Sequence, residues 1–191
     1  MKYILGLIFS FGFAAMAMAA DPEDILVIEV GGSVEGRVEI ELLPDLAPAH
    51  VQRIKRLARE GYYNGIAFHR VLNNFMAQTG DVKFGKIENF LPRYAGQGES
   101  IYPDLQAEFS TEPFVRGTVG MARSEDINSA NSQFFIMYAR ADYLDDKYTV
   151  FGRVLEGMEV VDGIRKGTRA TNGAMADPDH MDRVFIKADE E

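Results

Sequence analysis

Apolar and polar residues alternate along several short segments of the chain, which is the pattern of a strand with one buried face. The clearest example is residues 36–42, where Val38, Ile40 and Leu42 alternate with charged residues. This segment follows a run rich in β-branched residues at 25–30. A Gly-Gly-Ser break separates the two runs, so the pattern predicts a hairpin at the start of the folded domain.

The same pattern predicts eight short strands, at 25–30, 36–42, 66–71, 75–79, 115–122, 133–138, 148–154 and 183–187. Two segments have helical spacing instead: one begins at Pro48 and ends at Gly61, and a shorter one covers 158–164. Many short strands in one domain are typical of a sandwich or a closed barrel. The alternation by itself does not distinguish these two architectures.

Two further segments qualify this outline. The outer side of the first predicted helix carries a basic run that includes Arg53, Lys55, Arg56 and Arg59. We interpret the run as a solvated helix face rather than as a binding patch. Residues 81–98 have no regular pattern and form a longer loop than a compact domain needs.

Composition limits the classes of function. The chain has 191 residues, 47% of them hydrophobic, which suits one globular domain at 21–191. It has no cysteine, so disulfides, thiolate metal sites and a cysteine nucleophile are excluded. The net charge of -9 disfavours nucleic-acid binding, because phosphate contacts require clustered Lys and Arg.

Residues 1–20 have the features of a cleavable signal peptide. Lys2 is followed by an uncharged apolar stretch at 3–18, and the sequence at 17–19 is Ala-Met-Ala, which suits cleavage after Ala19 or Ala20. The alternative is an N-terminal membrane anchor, for which the stretch is short. We therefore predict an exported protein, located in the periplasm, with no membrane association after cleavage.

Two longer motifs carry the chemistry. The first is FHRVLNNFMAQTGD at 68–81, and the second is GMARSEDINSANSQFFIM at 120–137. Together they resemble the cyclophilin family of peptidyl-prolyl cis–trans isomerases, and the resemblance extends over about 25–187. It implies a mainly β fold: a closed eight-stranded antiparallel barrel with an α-helix capping each end. It also implies a monomeric, cofactor-free and metal-free isomerase that binds proline-containing polypeptides.

The resemblance assigns a role to individual positions. Arg70 matches the catalytic arginine, and its guanidinium is a permanent hydrogen-bond donor. Three sets of residues match the substrate contacts: Phe75, Met76, Phe135 and Leu144 form a proline pocket, Gln78 and Gln133 bind the substrate backbone, and Ala122, Arg123, Tyr143 and Tyr148 complete the peptide groove. Because the chain is exported, we expect it to assist the folding of exported proteins.

The sequence departs from the family pattern at three places. Tyr143 replaces a frequent tryptophan, which predicts weak cyclosporin binding with catalysis retained. Tyr148 replaces a common histidine, which changes the wall of the proline pocket. Arg123-Ser124 replaces a more usual Asn-Ala pair, and the added charge is expected to tune the preference for residues before proline.

Parts of the sequence suggest three functions other than isomerisation. A hydrolase is disfavoured because the histidines, at 50, 69 and 180, accompany no G-x-S-x-G motif, and His69 should point away from the Arg70 face of its strand. The acidic segment 177–182 is better interpreted as a solvated loop than as a calcium site. A module that binds peptides without depending on catalysis is the serious rival, and it would keep its activity when Arg70 is replaced by alanine.

Overall fold

The first two strands form the predicted hairpin. In the computed structural model, which describes residues 20–190, β1 (Ile25–Gly31) pairs antiparallel with β2 (Gly36–Leu42) and Ile28 lies opposite Val38. The apolar residues of β2 are buried, as the alternation requires. Glu39 is also buried, although it belongs to the polar set, and its carboxylate accepts hydrogen bonds from Arg37 and Lys187. Ion pairing therefore stabilises the one charge that the hairpin buries.

The remaining elements follow in chain order. The strands are β3 (Ile66–Ala67), β4 (Arg70–Leu72), β5 (Met76–Thr79), β6 (Thr118–Met121), β7 (Phe134–Met137), β8 (Val150–Glu156) and β9 (His180–Ile186). The helices are α1 (Pro48–Arg59) and α2 (Met158–Gly163). Short 3-10 turns lie at Pro22–Asp24, Ile87–Asn89, Asp142–Leu144 and Lys187–Asp189.

All nine strands belong to one antiparallel sheet in the order β3-β9-β1-β2-β8-β6-β7-β5-β4. The prediction of a mainly β fold with an antiparallel sheet and two helices is confirmed. One predicted strand, 66–71, is divided into β3 and β4 by Phe68 and His69, which is why the count is nine rather than eight. Phe68 and His69 thus connect two strands that lie at opposite ends of the strand order in the strongly curled sheet. β3 and β4 do not pair with each other.

Most buried apolar side chains form one large core or a smaller cluster, and Ile25, Val27 and Phe185 form a separate group of three. The large core lies between the sheet and the apolar face of α1, which contributes Val51, Ile54 and Leu57. The smaller cluster consists of Met76, Phe114, Phe135, Met137, Ala141, Leu144 and Val150. Several of these residues come from the two sequence motifs, so the smaller cluster supports the groove described below.

The long loop at 81–98 is organised around one buried carboxylate. Asp81 is fully buried, and its oxygens accept backbone hydrogen bonds from Lys83, Phe84, Gly96 and Gly98 at 2.7–3.1 Å. Four amides around one carboxylate fix both ends of the loop. The segment that the sequence left without a pattern therefore has a defined path, which ends beside the groove.

Within residues 20–190, no helix combines the length and the apolar character needed to cross a bilayer. The predicted signal peptide lies almost entirely outside these residues, because the description begins at Ala20.

Candidate active site

Strand register aligns the polar residues of the first motif with the second motif. On the antiparallel pair β4–β5, Arg70 lies opposite Gln78, and on β5–β7, Gln78 lies opposite Phe135. Directly opposed residues on adjacent strands place their side chains on the same face of the sheet. Residues that are distant in the sequence thus form one row across three strands.

A cavity of about 130 Å³ opens at this row, and because most of its lining residues are apolar we refer to it as the apolar cavity. It is lined by Arg70, Phe75, Met76, Gln78, Ala122, Arg123, Phe135, Leu144 and Tyr148. The cavity collects every predicted site residue except Gln133 and Tyr143. The rings of Phe135 and Tyr148 meet edge to face with centroids 6.0 Å apart, and Phe135 stacks on buried Phe114. Aromatic contacts of this kind hold the cavity wall rigid.

Tyr143 stands outside the cavity. Its side chain is among the exposed large apolar residues, at 60% exposure, and its ring lies 6.0 Å from the ring of Phe75. It therefore forms an outer rim beside Phe75 rather than part of the cavity lining.

Neutral oxygens hold the Arg70 side chain in place. Its Nη1 donates to Gln78 Oε1 at 3.2 Å, while Nε and Nη2 donate to the main-chain oxygen and Oδ1 of Asn172, each at 3.1 Å. Burial lowers the pKa of Arg70 from its ordinary value, with Tyr143 and Tyr148 acting in the opposite direction. The guanidinium remains charged at neutral pH, so a fixed cation faces an apolar cavity.

The hydrogen bonds continue beyond Gln78. Its Nε2 donates to Gln133 Oε1 at 3.1 Å, and Gln133 Nε2 donates to the Gly98 carbonyl at 2.9 Å. Gly98 is in turn bound through its amide to Asp81. A single chain of hydrogen bonds thus links Arg70 to the buried carboxylate that organises the long loop.

A second, more polar cavity of about 200 Å³ adjoins the first. It shares Gln78, Ala122 and Arg123 with the apolar cavity, and the rest of its lining is Gly96, Gln97, Gly98, Glu99, Ser124, Ser129, Asn131, Ser132 and Gln133. Gln133 therefore belongs to this second cavity. Small residues dominate the lining, which leaves room for a further side chain of an extended peptide.

Arg123 lines both cavities. Its guanidinium lies over the Tyr148 ring at 4.4 Å from the centroid, and it donates to the main-chain oxygens of Lys147 and Ser124. The Ala122 amide donates to the Gln133 carbonyl at 2.9 Å. Peptide pairing along this segment, which the sequence suggested, would therefore use main-chain groups other than the Ala122 amide.

Comparison with known proteins identifies the family. The family model described as "Cyclophilin type peptidyl-prolyl cis-trans isomerase/CLD" matches residues 25–186. The chain belongs to the cyclophilin-type peptidyl-prolyl isomerases. A "Probable peptidyl-prolyl cis-trans isomerase" of Brucella suis is 56% identical over 181 residues, covering 94% of this chain and 91% of the relative. The "Peptidyl-prolyl cis-trans isomerase-like 3" of Gallus gallus is 39% identical over 135 residues, covering 69% and 77%.

Solved cyclophilin structures agree with the fold. The cyclophilin AquaCyp293 from Hirschia baltica superposes with a TM-score of 0.73 at 26% identity, covering 90% of this chain and 77% of that protein. A Cryptosporidium parvum cyclophilin crystallised in the presence of the dipeptide Ala-Pro gives a TM-score of 0.70 at 25% identity, covering 85% and 98%. The predicted family and the predicted isomerase activity are therefore confirmed.

The histidines of this cyclophilin lie away from the groove lining. His69 is 4% exposed and faces Gly96, where an added Cβ would lie 3.2 Å from its ring. Burial lowers the pKa of His69 to about 4. The other two contact carboxylates, His50 that of Glu108 and His180 that of Asp182.

The acidic segment 177–182 uses its oxygens on protein donors. Asp179 is buried and accepts hydrogen bonds from Ser33 and from the Arg165 amide, while Asp177 pairs with the Arg165 guanidinium. Among residues 20–190, no cluster of three or more His, Asp or Glu side chains has the arrangement of a metal site.

Two residues that hydrogen-bond to groove side chains were not predicted from the sequence. Asn172 binds Arg70 across 102 positions, and Gly98 binds Gln133 across 35. The Asn172-Gly173 pair is a turn signal, so the sequence does predict a turn there. No local pattern predicts that this turn contacts the cyclophilin groove, because the contact depends on how the sheet curls.

Proposed function

We propose that Arg70 is the catalytic residue of this isomerase and that the apolar cavity binds the proline ring of an X–Pro segment. The observation that supports the proposal is the fixed guanidinium, which reaches the apolar cavity while hydrogen-bonding only to neutral groups. Its charge is therefore available to a substrate. The rings and aliphatic groups opposite it can hold a proline without competing for its hydrogen bonds.

The mechanism follows from amide chemistry. Rotation about a peptide bond has a barrier of about 18–20 kcal/mol because twisting removes amide resonance. In the twisted state the proline nitrogen becomes pyramidal and gains a free lone pair, to which Arg70 donates a hydrogen bond. The apolar cavity holds the ring still, and Gln78 and Gln133 contact the substrate backbone as the preceding carbonyl turns. No covalent bond breaks, and the proposal requires neither metal nor cofactor.

The expected rate acceleration is too large for a single hydrogen bond to explain. An acceleration of roughly a thousandfold to ten-thousandfold corresponds to about 4–6 kcal/mol of barrier reduction. A hydrogen bond to a charged group typically contributes about 1.5–3 kcal/mol. The remainder must come from a preorganised, partly dry site, where a fixed charge acts more strongly than in water. The apolar residues therefore belong to the catalytic mechanism as well as to binding.

Proline-containing segments of unfolded or extended polypeptides are the proposed partners. The Cryptosporidium relative crystallised in the presence of Ala-Pro supports this substrate class. Cyclosporin binding should be weak because Tyr143, which stands in place of the frequent tryptophan, lacks the indole group. We further propose that the protein acts as a monomer.

The site of action is proposed from the sequence. Residues 1–20 would direct export and be removed, so that the domain assists the folding of exported proteins in the periplasm without membrane association. Mass spectrometry of the protein from a periplasmic fraction should find a new N-terminus at Ala20 or Asp21. Retention of residues 1–20 in a membrane fraction would favour the anchor instead. Normal maturation of all exported proteins in a deletion strain would count against the folding role.

A refolding assay limited by proline isomerisation tests the catalytic proposal. The wild-type protein should accelerate refolding, and Arg70→Ala should lose roughly a hundredfold or more of this activity, because the guanidinium that donates a hydrogen bond to the proline nitrogen is removed. Arg56→Ala is the matched control, since Arg56 is an arginine on the α1 surface paired with Glu60. Equal acceleration by the wild type and Arg70→Ala would show that Arg70 is not the catalytic residue. Inactivity of both proteins on all X–Pro peptides tried would instead support a peptide-binding module.

A further inference from the structure

A short turn at 167–174 is attached to the edge of β4. The Val71 amide donates to the Gly173 carbonyl at 3.0 Å, and the Gly167 amide donates to the Val71 carbonyl at 2.9 Å. Gly173 has a φ of 81°, and a Cβ there would lie 2.9 Å from Leu72 Cγ. The turn is therefore held in register with the strand that begins with Arg70.

The backbone of this turn is unusual at Asn172. Its φ is 52°, in the left-handed region that Asn and Asp tolerate better than most residues. This conformation presents the main-chain oxygen and Oδ1 to the same guanidinium, each at 3.1 Å. Two acceptors from one residue match the planar donors of arginine, so the contact fixes both the position and the plane of the Arg70 head group.

Both acceptors from Asn172 are uncharged oxygens. Several arginines elsewhere on this surface are fixed by carboxylates, as Arg116 is by Asp162 and Arg59 is by Asp189. Asn172 provides the corresponding two contacts with neutral oxygens. A carboxylate at the same place would hold the guanidinium equally well, but it would compensate the charge that the groove directs at a substrate.

We propose that Asn172 is a positioning residue that fixes Arg70 through two neutral oxygens and so leaves the charge of Arg70 uncompensated in the groove. The inference rests on the proposed catalytic role of Arg70. It makes the amide of Asn172, rather than its size or its turn conformation, the property that matters for the reaction.

Asn172→Asp isolates the charge, because the side chain keeps its shape and tolerates the same φ. We expect kcat to fall about tenfold at low ionic strength while KM for a proline-containing peptide stays within about twofold. The new ion pair would be exposed, so salt of about 1 M should screen it and recover most of the lost kcat. A merely structural role would give no such salt dependence.

Asn172→Gly is the matched variant. It accepts the positive φ and keeps the main-chain oxygen, but it removes Oδ1, so kcat should fall only about twofold to threefold, without salt dependence. Circular dichroism melts show whether both variants are folded. A wild-type kcat in Asn172→Asp, or a larger loss in Asn172→Gly than in Asn172→Asp, would overturn the inference.

Arg70→Ala separates this inference from the proposed function. If Arg70→Ala is inactive and Asn172→Asp behaves like wild type, the catalytic role stands and the positioning role fails. If Arg70→Ala keeps full activity, the catalytic role fails and the inference fails with it. If both are correct, Arg70→Ala combined with Asn172→Asp is no slower than Arg70→Ala alone, because the aspartate has no guanidinium to neutralise.

Discussion

Most basic residues on α1 and those at the groove are stabilised in opposite ways. On α1, Lys55 binds Asp24, Arg56 binds Glu60 and Arg59 binds Asp189, at distances of 2.7–3.0 Å. At the groove, the guanidiniums of Arg70 and Arg123 are held by carbonyl and amide oxygens.

The difference shows that the partner of a basic side chain decides whether its charge is neutralised or remains available to a ligand. Carboxylates neutralise Lys55, Arg56 and Arg59, so most of the basic run that looks like a patch in the sequence is a set of local ion pairs. Arg53 is the exception in this run, because its guanidinium donates to the main-chain oxygens of Pro103 and Asn131. Neutral oxygens at the groove fix the guanidiniums equally well and leave their charge available. A basic side chain is therefore better judged by the charge of its partner than by its own.

His69 is a basic side chain whose surroundings prevent it from becoming charged. It directly precedes Arg70 in the chain and is buried, and both of its ring nitrogens lack a hydrogen-bond partner among the described residues. Burial outweighs the attraction of the Asp81 carboxylate for a positive charge and lowers the pKa of His69, so this imidazole is neutral at pH 7. Arg70 is thus a cation that hydrogen bonds hold in place, and the adjacent His69 is a base that burial keeps uncharged.

The largest effect should come from pH acting on His69. Its pKa is about 4 in the folded protein and about 6.5 when unfolded, so between these values the unfolded chain binds the extra proton. The free energy of unfolding should therefore fall as pH drops through this window, by about 2–3 kcal/mol at pH 4.5.

Urea unfolding at pH 7 and pH 4.5 measures this effect in wild type and in His69→Gln. The variant cannot take up the proton, so its loss of stability on acidification should be smaller by that amount. Parallel losses in the two proteins would mean that His69 has a stabilising partner when protonated, and the contrast with Arg70 would no longer hold.

Arg70→Lys tests whether charge alone is sufficient at the groove. Lysine keeps the positive charge but lacks the planar fork that contacts Gln78 and both oxygens of Asn172. We expect kcat/KM to fall roughly tenfold to a hundredfold, which is about 1.4–2.7 kcal/mol. The matched Arg56→Lys on α1 should be fully active. Full activity in Arg70→Lys would show that the fixed orientation of the guanidinium is unnecessary.

Arg123→Ala should have a smaller effect, confined to binding. The variant removes the guanidinium that covers Tyr148 and lines both cavities. A cation–π contact at an exposed site contributes about 0.5–1 kcal/mol, so KM should rise about twofold to fivefold while kcat is nearly unchanged. Titration with peptides that differ in charge before proline checks this; a large fall in kcat would place Arg123 in the catalytic step.

Arg59→Ala should have the smallest effect. Its two carboxylate partners, Glu23 and Asp189, connect α1 to both ends of the folded chain, but all three side chains are exposed. Exposed ion pairs contribute at most about 1 kcal/mol, so the free energy of unfolding should fall by less than that, with no change in isomerase activity. A loss of several kcal/mol would show that the ion pairs of α1 act as a cooperative network.

Much of the fold could be predicted because its signals are local. Alternation located the hairpin of β1 and β2, and helical spacing located α1 and α2. Boundaries that depend on tertiary contacts were displaced: β6 begins at Thr118 rather than at 115, because Gly117, with a φ of 85°, belongs to the preceding turn. Likewise, β9 begins at His180 rather than at 183, through a bulged pairing with β1.

The sequence by itself determined the family, the mainly β architecture and most of the residues that line the groove, because motifs and periodicity are properties of neighbouring positions. Only the tertiary structure decided what those residues face: Asn172 as the partner of Arg70, Asp81 as the centre of the long loop, and an exposed position for Tyr143. The physical reason is that the effect of a charge depends on the groups around it. In a curled sheet, those groups come from segments that are far apart in the chain.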